Sequence, residues 1–235
     1  VYKRQVPAGA SVHSIQDLKG KRLALHRGRP WEFAFSNYLA SQGLKLDDFK
    51  IANLNPQVGA AAVAAGKVDA AVLLNEAYAL EDKGVARILW STKQGATDWR
   101  LVSDLWGTDT FVEQYPQLTQ LVATAWVRAA WWISQEQNRD GYYALSSRAG
   151  VSESVLRRDD QDDPIAWKTR WAPKSDAQLK AHYDALGQYA LDNRLIRAPY
   201  DISNDLATGF TRQALVDLQL THYWPSLDAQ LSQQP

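Results

Sequence analysis

A chain of 235 residues with 46% hydrophobic and 11% aromatic residues has enough apolar surface for one large domain or two small lobes, which argues against disorder. Its 26 basic and 26 acidic residues cancel, removing any global charge argument for nucleic acid, and no run approaches the ~18 apolar residues of a membrane span. Cysteine and methionine are absent, so disulfides, thiolate zinc sites and cysteine nucleophiles are excluded within these residues.

The start VYKRQVP is neither a signal segment nor a helix cap; with Val1 in place of an initiator it is read as the opening of a fragment, its first five or so residues a scar. Ala8 to Val12 is a small-residue link, and Ser14 to Asp17 has the spacing of a capping box with Asp17 as its acid. Lys21 to His26 is a short apolar run with flanking charge, the size of one parallel strand. Gly28 turns the chain, and Pro30 suits the first helical position because its missing N–H would be unsatisfied there anyway. Trp31, Phe35, Tyr38 and Leu39 recur at helical spacing up to a stop at Gly43. Lys50 to Leu54 is a second strand candidate, followed by a turn at Asn55-Pro56-Gln57. Val58 to Ala65 is a helix of small residues able to lie close against a sheet, and Val68 to Leu74 is apolar enough for a strand covered on both faces. A helix over Asn75 to Lys83, a stop at Gly84 and a strand over Val85 to Trp90 complete a β-α alternation, which predicts a parallel sheet between two helical layers.

The pattern then changes. Trp99 to Leu105 reads as a strand leaving this lobe, and from Thr108 onward the chain is almost entirely helical. Leu118, Leu121, Val122, Ala125, Trp126, Ala129 and Ile133 form one apolar stripe, which predicts a core-facing surface that includes Trp126. Leu179, Tyr183, Leu186 and Ala190 repeat the pattern in a helix capped by Ser175. A helical hairpin near Asp140 to Leu156 and an acidic segment from Asp159 to Pro164 lie between them, and Ala214 to Leu220 is a last short helix.

Chemistry is sparse. His13, His26, His182 and His222 share no metal-ligand spacing. Asp159, Asp160, Asp162 and Asp163 lack the spacing and central glycine of a calcium loop and read as solvated. No metal or cofactor site is expected. What remains is three strand-to-helix turns, which a parallel sheet gathers at one C-terminal edge. Their polar and turn residues make the candidate ligand-binding set: Gly28, Arg29, Pro30 and Trp31 from the first turn, Asn55 and Gln57 from the second, Asn75 and Glu76 from the third. Arg27 and Arg29 beside a helix N-terminus favour a carboxylate, sulfonate, nitrate or phosphate, with the backbone N–H groups of Trp31 and Glu32 as free donors and Trp31 covering an apolar tail. Glu32 works against a fully anionic site unless it only complements the helix dipole.

The string SIQDLKGKRLALHRG, the segment YLASQGLKLDDFKIANLNP and the continuation AAVAAGKVDAAVLLNEAYA resemble the periplasmic solute-binding proteins of ABC importers for aliphatic sulfonates, nitrate and taurine. FVEQYPQLTQLVATAWVRAAWWI and LKAHYDALGQYALDNRLIRAPYDIS resemble later elements of that family, so the similarity spans nearly the whole chain. The resemblance implies an α/β chain of type II periplasmic-binding-protein fold, with a parallel-sheet ligand-binding lobe over residues 7–98 and a helix-rich, incomplete second lobe over residues 99–235. It also implies hinges near Ala8 and near Asp98 to Arg100. The family carries about a hundred further residues ahead of the DLKGK element, so the chain is expected to be a piece that lacks its export signal and leading strands. Exposed apolar surface around Leu121, Trp126 and Ile133, and poor solubility, would follow.

The same resemblance implies a non-enzymatic protein, periplasmic or exported, monomeric when full length, that hands a small anionic solute to a membrane permease. It implies neither nucleic acid nor cofactor. Two departures stand out. Arg29 and Pro30 occupy positions where the family has Ser or Thr after the turn glycine, and Asn75, Glu76 and Ala77 replace an aromatic-Asp-Pro sequence. The alternative is an enzyme on the same fold, of the aromatic-sulfinate desulfinase or thiamine-pyrimidine synthase type.

Overall fold

The structure is a computed structural model that describes residues 3–7, 11–100, 102–161, 163–174 and 176–224. The expected link and hinge at Ala8, the Ser175 cap and Asp162 lie outside the described residues. The chain divides into two compact units: residues 1–101, 149–163 and 188–198 form the first, and residues 102–148, 164–187 and 199–235 the second.

The first unit is a five-stranded sheet. Its strands are β1 (Lys3–Pro7), β2 (Arg22–Ala24), β3 (Lys50–Ala52), β4 (Ala70–Leu73) and β5 (Ala86–Ser91), and they lie side by side in the order β3-β2-β4-β1-β5. Helices α1 (Pro30–Ser41), α2 (Pro56–Ala64) and α3 (Glu76–Asp82) connect β2 to β3, β3 to β4 and β4 to β5. Strands β2, β3 and β4 pair in parallel. Strand β1 runs antiparallel to both of its neighbours, with Lys3 opposite Leu73 on one side and Ser91 on the other. Residues 3–7 thus pair within the sheet; the single strongly apolar residue among them, Val6, is fully buried, and the two flanking strands, not local periodicity, impose the extended form.

Period-two alternation assigns the sheet's two faces. Leu23, Leu25, Ala70 and Val72 join one core with Phe35, Leu39 and Phe49, whereas Ala24, Ala71 and Leu73 join another with Val63, Val68 and Ala77. The small-residue helix does lie close to the sheet. A β-carbon placed on Gly59 would meet Leu73 Cδ2 at 3.4 Å and Ala24 Cβ at 3.5 Å. Asn55 starts this helix by accepting the Val58 N–H at 2.9 Å; of the expected capping box only the acid's half forms, Asp17 accepting the His13 and Ser14 N–H groups at 2.8 and 2.9 Å, while the 3-10 turn Gln16–Leu18 starts after Ile15 with no side-chain cap. The acidic segment is not simply solvated, because Asp163, 3% exposed, pairs with Arg100 at 2.9 Å. Asp159 and Asp160 close the last turn of a further helix of this unit, Glu153–Asp160, where Arg158 pairs with Glu81 and Asp82 and covers the Tyr78 ring.

The second unit is helical. The chain's further helices are α4 (Asp109–Gln114), α5 (Pro116–Ser134), α6 (Arg139–Ser147), α7 (Glu153–Asp160), α8 (Trp167–Arg170), α9 (Asp176–Asp192) and α10 (Gly209–Asp217), of which α7 and the end of α9 from Gln188 belong to the first unit. The expected strand from Trp99 to Leu105 does not form. Trp99 ends a 3-10 turn, and residues 102–107 are neither helix nor strand; Asp104 there accepts a hydrogen bond from Tyr183 of α9. On α5 the core-facing stripe does not hold, and the apolar surface expected to be exposed around Leu121 and Trp126 is exposed: the buried residues are Ala123, Val127 and Ser134, while Leu118, Leu121, Val122 and Trp126 are exposed and Ile133 is half-buried. Apolar residues surround most of this helix, so periodicity does not choose a face. Packing does, because α10 docks Ala214 and the following Leu220 against Val127 and Trp131. Along α9 the stripe holds, with Leu179 buried and Tyr183, Leu186 and Ala190 half-buried. An apolar groove of about 670 Å³ lies along α5 and α6, lined by Ala129, Trp132, Tyr142 and Leu145 with Arg128 as its one charged group. No helix among the described residues is long and apolar enough to cross a membrane.

Candidate functional site

The three turns that follow β2, β3 and β4 lie at one edge of the first unit's sheet, as parallel strands require. Side chains tie them together. The Arg27 N–H donates to Asn53 Oδ1 at 3.0 Å, joining the first turn to the second, and Gln57 Nε2 donates to Glu76 Oε1 at 2.9 Å, joining the second to the third.

In the first turn, Gly28 takes a φ of +70°, which a side chain would strain, and Arg29 is extended (φ −122°) ahead of Pro30 at the first helical position. The chain thereby delivers Glu32 to the inside of the turn. Its side chain is fully buried and is held on three sides: Arg27 Nε donates to Oε1 at 2.8 Å, Tyr189 Oη to Oε1 at 3.0 Å, and the Gly28 N–H to Oε2 at 2.6 Å. Tyr189 sits in the last turn of α9, where its hydroxyl also meets Ser36 Oγ at 2.9 Å and its ring packs edge-on against Phe33. Burial, together with the neighbouring Glu32 carboxylate, pushes the Tyr189 phenol well above its usual range.

This arrangement corrects the expected donor set. The Glu32 N–H is not free, since it donates to the Arg29 carbonyl at 2.8 Å, and the Gly28 N–H is spent on Glu32 Oε2. The anion position of the turn is filled by the chain's own carboxylate, which the positive end of the helix dipole favours. Of the other candidates, Arg29 is exposed, and Trp31 is half-buried against the β2 core with its ring 5.8 Å from that of His26. Asn55 commits its side-chain oxygen to capping α2, Gln57 is exposed, and Asn75 and Glu76 are half-buried at the start of α3. Two buried polar atoms at this edge, His26 Nδ1 and Glu76 Oε2, have no hydrogen-bond partner among the described residues. Tyr189 and Ser36 were invisible to local pattern: the tyrosine lies 157 positions from Glu32 and offers no signal except its place on the α9 stripe's neighbouring turn. Asn53 was passed over because an Asn just before an Asn-Pro turn reads as loop.

The mostly parallel sheet with converging strand-to-helix turns fits one lobe of the periplasmic-binding-protein fold, and solved structures of that fold match most of the chain. One is the periplasmic sulfonate-binding protein of a putative sulfonate ABC transporter from Methylobacillus flagellatus KT, 44% identical, with a TM-score of 0.86. The match covers 96% of this chain and 68% of that one. The alkanesulfonate-binding protein of Xanthomonas axonopodis pv. citri, solved with MOPS bound, matches at 23% identity and a TM-score of 0.70 over 86% of this chain and 68% of its own. A desulfurization enzyme solved with biphenyl-2-sulfinic acid matches at 18% identity and a TM-score of 0.64, covering 92% of this chain and 76% of its own, and at that distance shares the fold alone. No curated protein sequence matches. The family model described as NMT1/THI5 like matches residues 2–139, and the chain belongs to that family.

Proposed function

We propose that this chain is the solute-binding component of an ABC importer, working in the periplasm or outside the cell, and that it captures a small anionic organic solute of the sulfonate, nitrate or taurine type for transfer to a permease. The observation that carries this is the 44% identity over 96% of the chain to a periplasmic sulfonate-binding protein. The turn residues supply a compatible surface. Gly28 and Pro30 shape the first turn, Arg29 brings an exposed charge, and Trp31 offers an apolar wall. Asn55, Gln57, Asn75 and Glu76 are the polar contacts of the adjoining turns. His26 Nδ1 and Glu76 Oε2, buried and without a hydrogen-bond partner among the described residues, fit a site that a ligand or water completes.

Binding alone needs no reacting group. A sulfonate offers three acceptor oxygens and one negative charge, which suits donors from arginine and side-chain amides. Calorimetric titration of the 235-residue chain with propanesulfonate, taurine and nitrate tests the reading. Arg29→Ala is expected to weaken binding of all three about ten- to a hundredfold, the equivalent of one or two charge-assisted hydrogen bonds at ~1.4 kcal/mol per decade. Trp31→Ala is expected to weaken propanesulfonate more than nitrate. Absence of binding to every one of these anions by the unmodified chain would sink the proposal.

A further inference from the structure

Of the two arginines of the first turn, Arg27 is better fixed than its exposed neighbour Arg29. Its backbone N–H is held by Asn53, and its Nε is held by the fully buried Glu32. A guanidinium has five N–H donors in a rigid plane, and this contact uses only one of them. Among the described residues Nη1 and Nη2 have no hydrogen-bond partner, and the side chain is 35% exposed, so one edge of the plane is anchored inside the turn while the other remains available. Fixing Nε removes much of the rotamer freedom that a free arginine would lose on binding. Glu32 cancels the charge of Arg27 but not its donors, and the exposed Arg29 leaves the turn with a net positive charge of one, the complement of a monoanion.

We propose that Arg27, anchored through Nε to Glu32, presents its Nη1 and Nη2 donors to the acidic group of the solute, a sulfonate or similar monoanion. This rests on the binding function proposed above and names the fixed part of its anion contact, with Arg29 as the mobile part. It accounts for the position of the buried acid. At the helix start Glu32 does not exclude an anionic ligand; it turns the arginine so that two parallel donors face outward.

Arg27→Lys separates anchoring from ligand contact. A lysine has one nitrogen and can reach Glu32 or the solute, but it cannot present a fork to one while bonded to the other. Titration with propanesulfonate is expected to show a dissociation constant raised at least tenfold in Arg27→Lys, with the melting temperature nearly unchanged. A dissociation constant within twofold of the unmodified chain would overturn the proposal while leaving the importer function standing. If Arg27→Lys does not fold, the unmodified chain decides through the 15N signals of the Arg27 guanidinium. Propanesulfonate should shift the Nη signals, and Nη signals that stay put while the sulfonate binds would overturn it. No binding of propanesulfonate, taurine or nitrate by the unmodified chain would overturn both.

Discussion

Glu32→Gln isolates the energetic role of the buried acid, because it keeps the volume and removes the charge. The carboxylate accepts three hydrogen bonds, at 2.8 Å from Arg27, 3.0 Å from Tyr189 and 2.6 Å from the Gly28 N–H, and at 0% exposure no water can stand in for any of them. A glutamine has one acceptor oxygen and one NH2 group. With the oxygen on the Arg27 side, the NH2 faces the Gly28 N–H, donor against donor; with the amide flipped, the NH2 faces Arg27 Nε instead. The Tyr189 hydroxyl can turn to accept, so the smaller loss is one charge-assisted bond plus one opposed pair of donors. Hydrogen bonds to charged groups contribute ~1.5–3 kcal/mol, and the 35% exposure of Arg27 lets water recover part of its solvation, which leaves about 2 kcal/mol. At a urea slope of ~2–3 kcal/mol per molar, the midpoint should fall by nearly 1 M with the slope unchanged. Urea unfolding followed by far-UV circular dichroism measures this, and faster hydrogen exchange at the Gly28 amide would place the loss in the turn. A midpoint shift below ~0.2 M would refute the reasoning, since it would mean that attraction to Arg27 does no more than offset the desolvation of Glu32.

Two further perturbations probe the first unit. Gly59→Ala should raise stability by ~0.5–1 kcal/mol in the same urea assay, since helix propensity improves and the new methyl meets Leu73 and Ala24 at ordinary contact distance, whereas Gly59→Leu should lower it by ~1–3 kcal/mol. Acid should destabilise this unit through Asp17 and Asp48, whose carboxyls are held below the ordinary value of 3.8 chiefly by backbone N–H donors, from His13 and from Lys45. Because their folded-state values are depressed, their contribution is present in full above 3.8 and is lost as pH falls through the lower folded values. Melting temperatures from about pH 5 to about pH 2 should therefore decline less steeply in Asp17→Asn and Asp48→Asn than in the unmodified chain.

How far the chain could be read from its sequence depended on whether one element or two set the outcome. Strands β2 to β5 and helices α1 to α3 were legible because each carries its own signal: Pro30 and Pro56 at helix starts, Gly43, Gly66 and Gly84 at positive φ after helix ends, and apolar runs between them. Strand β1 was not, because KRQVP has one strongly apolar residue and is extended only by pairing with β4 and β5. The buried face of α5 was missed for the opposite reason. Leu121 and Trp126 are as apolar as Val127, and only the docking of α10 decides which of them is covered.

The site shows the same division at the scale of single side chains. Convergence of three turns at one edge follows from strand direction, so the sequence alone places Gly28, Asn55 and Glu76 there. Which groups at that edge remain available is a matter of hydrogen-bond partners, and these are settled at long range. Glu32, four residues after Gly28, reads in the sequence as a minor dipole complement, yet Tyr189, from 157 positions away and itself held by Ser36 of α1, closes over it. Once its carboxylate is buried, every donor in reach must serve it or stand unpaired in a dry pocket, and an unpaired buried donor costs about 1–3 kcal/mol. The Gly28 N–H and Arg27 Nε are therefore committed before any solute arrives. On the binding function proposed above, recognition would pass from the backbone amides of the helix start to the side chains around them, to the unused edge of Arg27 and the exposed Arg29.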